Sequence, residues 1–155
     1  MLRKRNMLSP ASGTVKAIRT AVVLLMCVAV ASGCFWRSYP KRMRTHVEVL
    51  VGIARKASDL VAARRFTAEN LPELTYPLER ATAFAAEVRA RTSTPPESLD
   101  AFETLLARYR ALVTAADEGR IRLPPAVGGE ALAAPLADVE AAARAVEAAL
   151  DRERG

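Results

Sequence analysis

Residues 94–119 read TPPESLDAFETLLARYRALVTAADEG, and this stretch carries the clearest helical pattern of the chain. Thr94 and Glu97 are spaced as in a capping box, with a proline at the first helical position. Gly119 is a natural C-terminal cap. The apolar residues between these two ends recur at spacings of three and four, which is the period of an amphipathic helix. They are Leu99, Phe102, Leu106, Tyr109, Val113 and Ala116.

Three more segments repeat this spacing: residues 45–66, residues 71–91, and the chain after the breaker at residues 123–129. Pro72, Pro77 and Pro135 lie near the starts of the second and last of these segments and predict irregular first turns. The predicted core positions of the first helix are Val47, Leu50, Ala54, Ala57 and Val61. Those of the second are Leu74, Leu78, Ala81, Phe84, Ala85 and Val88. Those of the last are Leu132, Leu136, Val139, Ala143, Val146 and Leu150.

Four amphipathic helices joined by short turns predict an all-α fold, an antiparallel four-helix bundle over residues 45–155. The composition agrees, because 31 of the 155 residues are alanine and only 5% are aromatic, which favours helices over strands. An alternative is a core of three helices with the alanine-rich fourth helix loosely docked.

Residues 1–33 have the pattern of a secretory signal peptide. They contain five basic residues, no acidic residue and an apolar run, AVVLLMCVAVA, over residues 21–31. A basic stretch, a short apolar stretch and small residues in this order are typical of such signals. Eleven helical residues rise about 16 Å, roughly half of a hydrocarbon core of about 30 Å. We therefore expect a cleaved signal.

The residues Ala31-Ser32-Gly33-Cys34 resemble the lipobox of bacterial lipoprotein precursors, with Ala31 standing where that family usually has leucine. The resemblance covers residues 1–34 only. It implies that the thiol of Cys34 is diacylated, that the chain is cut before Cys34, and that the mature protein is held on a membrane. Two or more acyl chains anchor a protein stably, whereas one chain does not.

The second cysteine, Cys27, lies inside the apolar run and would leave with the signal, so the mature chain would have no disulfide. The alternative to cleavage is an uncleaved anchor in the inner membrane over residues 20–36. Its 17 residues are at the low end of what spans a bilayer. Basic residues flank it on both sides, so the positive-inside rule leaves its orientation undecided.

Residues 34–44 form the predicted tether between the lipid and the bundle. After Cys34 they read FWRSYPKRMR, with four basic residues, three aromatic residues and a proline, Pro40, that is expected to interrupt any helix. One interpretation is a segment that lies on the bilayer, because Trp and Tyr favour the interface and Arg and Lys favour anionic headgroups. The other is a linker whose aromatic side chains dock on the bundle. Because Phe35 follows Cys34 where aspartate would retain a lipoprotein at the inner membrane, the resemblance implies an outer-membrane location in a Gram-negative cell.

The charge distribution argues against a nucleic-acid partner. The precursor has a net charge of +6 and a pI near 9.9, but from residue 45 onward there are 14 basic and 17 acidic residues. The basic charge therefore belongs to the signal and the tether, and the bundle itself is mildly acidic.

The sequence predicts no enzyme, no cofactor and no metal site. His46 is the sole histidine, and zinc sites need three or four His, Cys or carboxylate ligands. The four-helix architecture is similar to that of cytochrome b562, in which a methionine of helix 1 and a histidine of the last helix bind the haem iron. Here Met43 and His46 both lie at the start of helix 1, and helix 4 has neither residue type. The resemblance therefore implies no haem site. The carboxylates fall mostly outside the apolar seams, and we interpret them as solvated.

The sequence favours a non-enzymatic, lipid-anchored protein of the bacterial envelope that acts as an adaptor or accessory subunit. The surface expected to contact a partner protein is the alanine-rich helix 4 together with the apolar loop of residues 121–127. The alternative is a binding module for a small apolar ligand or lipid in the bundle interior.

Overall fold

The computed structural model describes the backbone of residues 11–122 and 132–155, and the side chains of residues 35–118 and 132–155. In this part of the chain every regular element is helical. The elements are α1 (Ala11–Ala62), a 3-10 turn (Ala68–Asn70), α2 (Leu71–Ala90), α3 (Glu97–Arg122) and α4 (Ala133–Arg152).

The chain divides into two compact units, residues 1–40 and residues 41–155. The sequence predicts that Pro40 ends any helix that reaches it, and this prediction is wrong, because α1 continues through Pro40. Proline removes one amide donor, but its fixed φ is compatible with a helix, so a long helix can retain it at a cost of about 3 kcal/mol. Residues 34–44, the predicted tether, are therefore helical along their whole length.

The second unit is an antiparallel four-helix bundle, as predicted. Within residues 41–62 of α1, the first side chains pair with the ends of α2 and α4, and side chains further along α1 pair with earlier residues of both helices. These pairs are Arg42–Glu87, Lys56–Glu73, Arg44–Glu147 and Arg55–Glu140.

The helices α2 and α3 are also antiparallel to each other, and so are α3 and α4. Their polar pairs are Arg89–Glu103, Arg110–Thr82, Arg152–Glu97 and Arg108–Asp138. Each helix therefore has two neighbours, and the four helices close into an up-down-up-down bundle.

The predicted seams form the core. All five predicted positions of α1 are buried, and most of those of α2, α3 and α4 are buried as well, while Leu78, Val113 and Leu136 are half-buried. The alternative with a loosely docked fourth helix is wrong, because α4 buries one continuous face. The buried residues of that face are Val139, Ala142, Ala143, Val146, Ala149 and Leu150.

Two helix ends differ from the predictions. The first helix stops at Ala62 rather than near Phe66, and the chain turns through Arg64 at a φ of 57°. The amide of Arg64 donates to the carbonyl of Val61 and the amide of Arg65 to that of Leu60, which is a Schellman motif without its usual glycine. At the other difference, α3 extends to Arg122, beyond the predicted cap at Gly119.

The predicted capping box of α3 is also replaced by a longer-range contact. The helix begins at Glu97, and the carboxylate of Glu153 accepts hydrogen bonds from the backbone amide and the hydroxyl of Ser98, at 2.7 and 2.8 Å. Ser98 is fully buried. Thus a residue just beyond α4 satisfies one of the free amides at the start of α3.

Candidate functional site

Cys34, the predicted lipidation site, lies in α1, and its side chain is outside the described part of the chain. The residues after it form an aromatic row, in which Trp36 lies 5.5 Å from both Phe35 and Tyr39 between ring centroids. Trp36 is 37% exposed, whereas Phe35 and Tyr39 are buried. Trp36 is therefore the member of this row that is open to solvent. Lipidation of Cys34 stays a prediction.

The outward face of α4 carries a line of exposed alanines, which we name the alanine stripe. Its members are Ala134, Ala137, Ala141, Ala145 and Ala148. Their spacing of three and four places them along one side of the helix. The apolar loop that completes the predicted partner surface lies outside the described residues beyond Arg122.

The described grooves lie at helix seams on the surface. One of about 240 Å³ runs between α1 and α4 and is lined by Val47, Val51 and Ala143 among others. Two more, of about 460 and 350 Å³, adjoin each other between α2 and α3 and share Thr82 and Arg110. In these grooves small side chains leave space between the helices, and charged side chains line the edges.

His46 joins three helices through ring contacts. Its ring centroid on α1 lies 4.9 Å from Phe84 on α2 and 6.3 Å from Phe102 on α3, and those two phenylalanines meet edge to face at 6.0 Å. The guanidinium carbon of Arg42, one turn earlier on α1, lies 4.9 Å from the centroid of Phe84. His46 is half-buried.

The charges that act on His46 are positive. Burial of the ring lowers the pKa of His46, and the guanidinium groups of Arg42 and Arg80 lower it further. The folded protein therefore favours the neutral form of the imidazole. The position of Arg80 beside His46 could not be predicted from the sequence, because Arg80 comes from another helix.

Tyr109 lies at the centre of the bundle and is fully buried. Its hydroxyl is the one buried side-chain polar atom without a hydrogen-bond partner among the described residues. Burial raises the pKa of the Tyr109 phenol well above its usual value. The hydroxyl is thus neutral, and none of the three grooves described above includes Tyr109 in its lining.

Two kinds of feature are absent from the described residues. No group of three or more His, Cys, Asp or Glu side chains in that part of the chain is arranged to hold a metal ion. Nor does any helix there combine the length and the apolar character that crossing a membrane requires.

Comparisons with known proteins add no relative: the chain matches no family of known proteins, no curated protein and no solved structure.

Proposed function

We propose that the protein is a lipid-anchored, non-enzymatic component of the bacterial envelope that acts as an adaptor or accessory subunit through protein–protein contacts. The observation that carries the proposal is the sequence Ala31-Ser32-Gly33-Cys34 at the end of a basic and then apolar stretch. A thiol in that context is the acceptor of a thioether-linked lipid. The bundle would then be the exported part, held near an outer membrane if the cell has one.

The described side chains support a binding role more than a catalytic one. His46, the sole histidine, lies against two phenylalanine rings rather than beside a nucleophile or a carboxylate. Many of the carboxylates pair with arginines across helix seams, as Glu87 does with Arg42 and Glu147 with Arg44. Such pairs link neighbouring helices, and the paired carboxylates are already bound by arginines.

The alanine stripe of α4 supports a helical partner. Small side chains let the backbone of another helix approach closely, and an exposed row of them offers a shallow track without charge along its centre. Arg144 and Asp138 flank this track and are both exposed. An amphipathic helix of an envelope protein is the partner that we expect on this face.

Crosslinking in membranes tests this surface. The full-length protein is crosslinked in its cell, extracted with detergent and compared with two variants, Ala141→Arg in the stripe and Ala107→Arg at an exposed position of α3. Both substitutions keep a good helix former on an exposed helix surface, so both variants are expected to fold. We expect A141R to lose a partner that the wild type and A107R retain. A partner retained equally by all three proteins would contradict the role of the stripe, and a strictly monomeric wild type would contradict the adaptor function.

A second candidate, the binding of a small apolar ligand or lipid, is favoured by the groove between α2 and α3. Its lining includes Leu78, Ala83 and Ala86, and Arg110 lies at its edge. Native mass spectrometry of the detergent-extracted protein would detect a ligand carried through purification. A ligand that is lost in an Ala83→Trp variant would favour this function over the adaptor.

A further inference from the structure

The register of α1 against α2 places three basic side chains together. The pairs Arg42–Glu87 and Lys56–Glu73 fix that register, and His46 and Arg80 both lie between them. In an antiparallel pair, residues one turn apart on each helix form the corners of a rectangle, which here are Arg42 and His46 on α1 and Arg80 and Phe84 on α2. The ring of His46 and the guanidinium carbon of Arg42 each lie 4.9 Å from the centroid of Phe84. Arg80 lies one turn from Phe84 on the same side of α2.

Positive charge dominates this rectangle. Arg80 donates a hydrogen bond to the hydroxyl of Tyr76 at 3.2 Å, and its guanidinium carbon lies 5.9 Å from the centroid of the Tyr76 ring. Among the described residues no carboxylate pairs with Arg80. Arg42 donates to the carboxylate of Glu87, which follows Phe84 in α2, whereas Arg80 precedes Phe84. The third helix packed against His46 contributes Phe102, which carries no charge.

We propose that this cluster of Arg42, His46 and Arg80 is a binding site for a phosphate-class anion. Arg80 and protonated His46 would donate hydrogen bonds to its oxygens, and Arg42 would add positive potential. A tetrahedral dianion has acceptors in several directions, so it can accept from donors on two helices at once, which a planar carboxylate does less well. The anion would supply the negative charge that the imidazolium form of His46 otherwise lacks.

The binding is coupled to a proton. An anion beside the imidazole favours its charged form, so the pKa of His46 rises when the site is filled. By linkage, the same anion binds more tightly to protonated His46, and a rise of about one pKa unit corresponds to about tenfold in affinity. This proposal does not depend on lipidation or on the alanine stripe, and it can fail while they hold.

The test uses the full-length protein in non-ionic detergent with selectively ¹³C-labelled histidine. Because the chain has one histidine, a single resonance reports its pKa. The titration is run in chloride and again with inorganic phosphate replacing chloride at constant ionic strength. The variants are Arg80→Gln and, as a matched control, Arg144→Gln at an exposed position of α4.

We expect phosphate to raise the pKa of His46 by about one unit in the wild type and in R144Q. In R80Q the pKa in chloride should be higher than in the wild type, because one repelling cation is gone, and phosphate should no longer move it. A third arm uses bicelles that contain phosphatidylglycerol, compared with phosphatidylcholine alone. A rise with phosphatidylglycerol but not with free phosphate, absent in R80Q, would identify a lipid headgroup as the source of the anion.

Two results would overturn the proposal. One is a pKa of His46 that neither phosphate nor phosphatidylglycerol changes. The other is an equal rise in the wild type and R80Q, which would report a general surface potential and not a site.

Discussion

At the scale of single residues, His46 links the stability of the bundle to pH. Its folded-state pKa lies below the unfolded value of about 6.5, because the ring is half-buried and Arg42 and Arg80 repel a proton. Between these two values the unfolded chain binds the proton and the folded chain does not. The stability contributed by neutral His46 is therefore complete above about pH 6.5 and is lost as the pH falls below it.

Urea denaturation of the wild type and of His46→Gln between pH 5 and pH 8 checks this sign. We expect the free energy of unfolding of the wild type to decrease with decreasing pH below about 6.5. The variant should show a smaller slope in that window. Equal slopes in the two proteins would mean that His46 titrates alike in the folded and unfolded states.

Gly52 is a second residue that is expected to lower the stability of the folded protein. It lies inside α1, it is exposed, and a Cβ built at this position would meet no atom within 4 Å. Gly52→Ala is expected to raise the free energy of unfolding by about 1 kcal/mol, because glycine has more conformational freedom to lose in a helix. Gly155→Ala, at the C-terminal residue, is the matched control and should have no effect. Should G52A instead destabilise the protein, something not in the structure must approach the backbone there.

At the scale of elements, the start of α3 depends on the end of α4. Glu153→Ala removes the carboxylate that binds the amide and hydroxyl of the buried Ser98. We expect a loss of about 1–2 kcal/mol in the free energy of unfolding, the usual value of a helix cap. Arg154→Ala, one residue further along, provides the comparison by chemical denaturation. An unchanged stability in E153A would show that solvent satisfies Ser98 equally well.

The elements themselves could be predicted because their signals are local. The five predicted core positions of α1, from Val47 to Val61, recur at spacings of three and four residues within one helix. All five are buried. The cap of α3 could not be predicted in this way, because Glu153 is far from Ser98 in sequence. The cationic surroundings of His46 were missed for the same reason, since they require the register of α1 on α2. The prediction for Pro40 is wrong because helix propensity is a local preference, and the helix on both sides of Pro40 overrides it.

At the scale of the whole molecule, charge is used in two ways. Within residues 41–155, ion pairs cross the α1–α2, α1–α4, α2–α3 and α3–α4 seams near one end of the bundle, where α1 enters and α4 ends. They are Arg42–Glu87, Arg44–Glu147, Arg89–Glu103 and Arg152–Glu97. Each exposed pair contributes little by itself, in the range of about 0–1 kcal/mol. Each of the four pairs joins an arginine to a carboxylate of a neighbouring helix, so one pair bridges each seam at this end of the bundle.

The net positive charge of the precursor lies in residues 1–44, because the residues from 45 onward contain more acidic than basic side chains. Those residues contain nine basic and no acidic side chains, and they surround the apolar run and Cys34. We propose that this asymmetry separates a membrane-directed N-terminal segment from a mildly acidic, exported bundle. Cleavage before Cys34 and acylation of its thiol would both change the mass of the chain.

The most direct measurement is the intact mass of the protein extracted from membranes of the cell that makes it. We expect a chain that begins at Cys34 and carries two or three acyl chains, and we expect a Cys34→Ala variant to lack them. An unmodified chain that still includes residues 1–33 would contradict lipidation and would favour the uncleaved anchor over residues 20–36 instead.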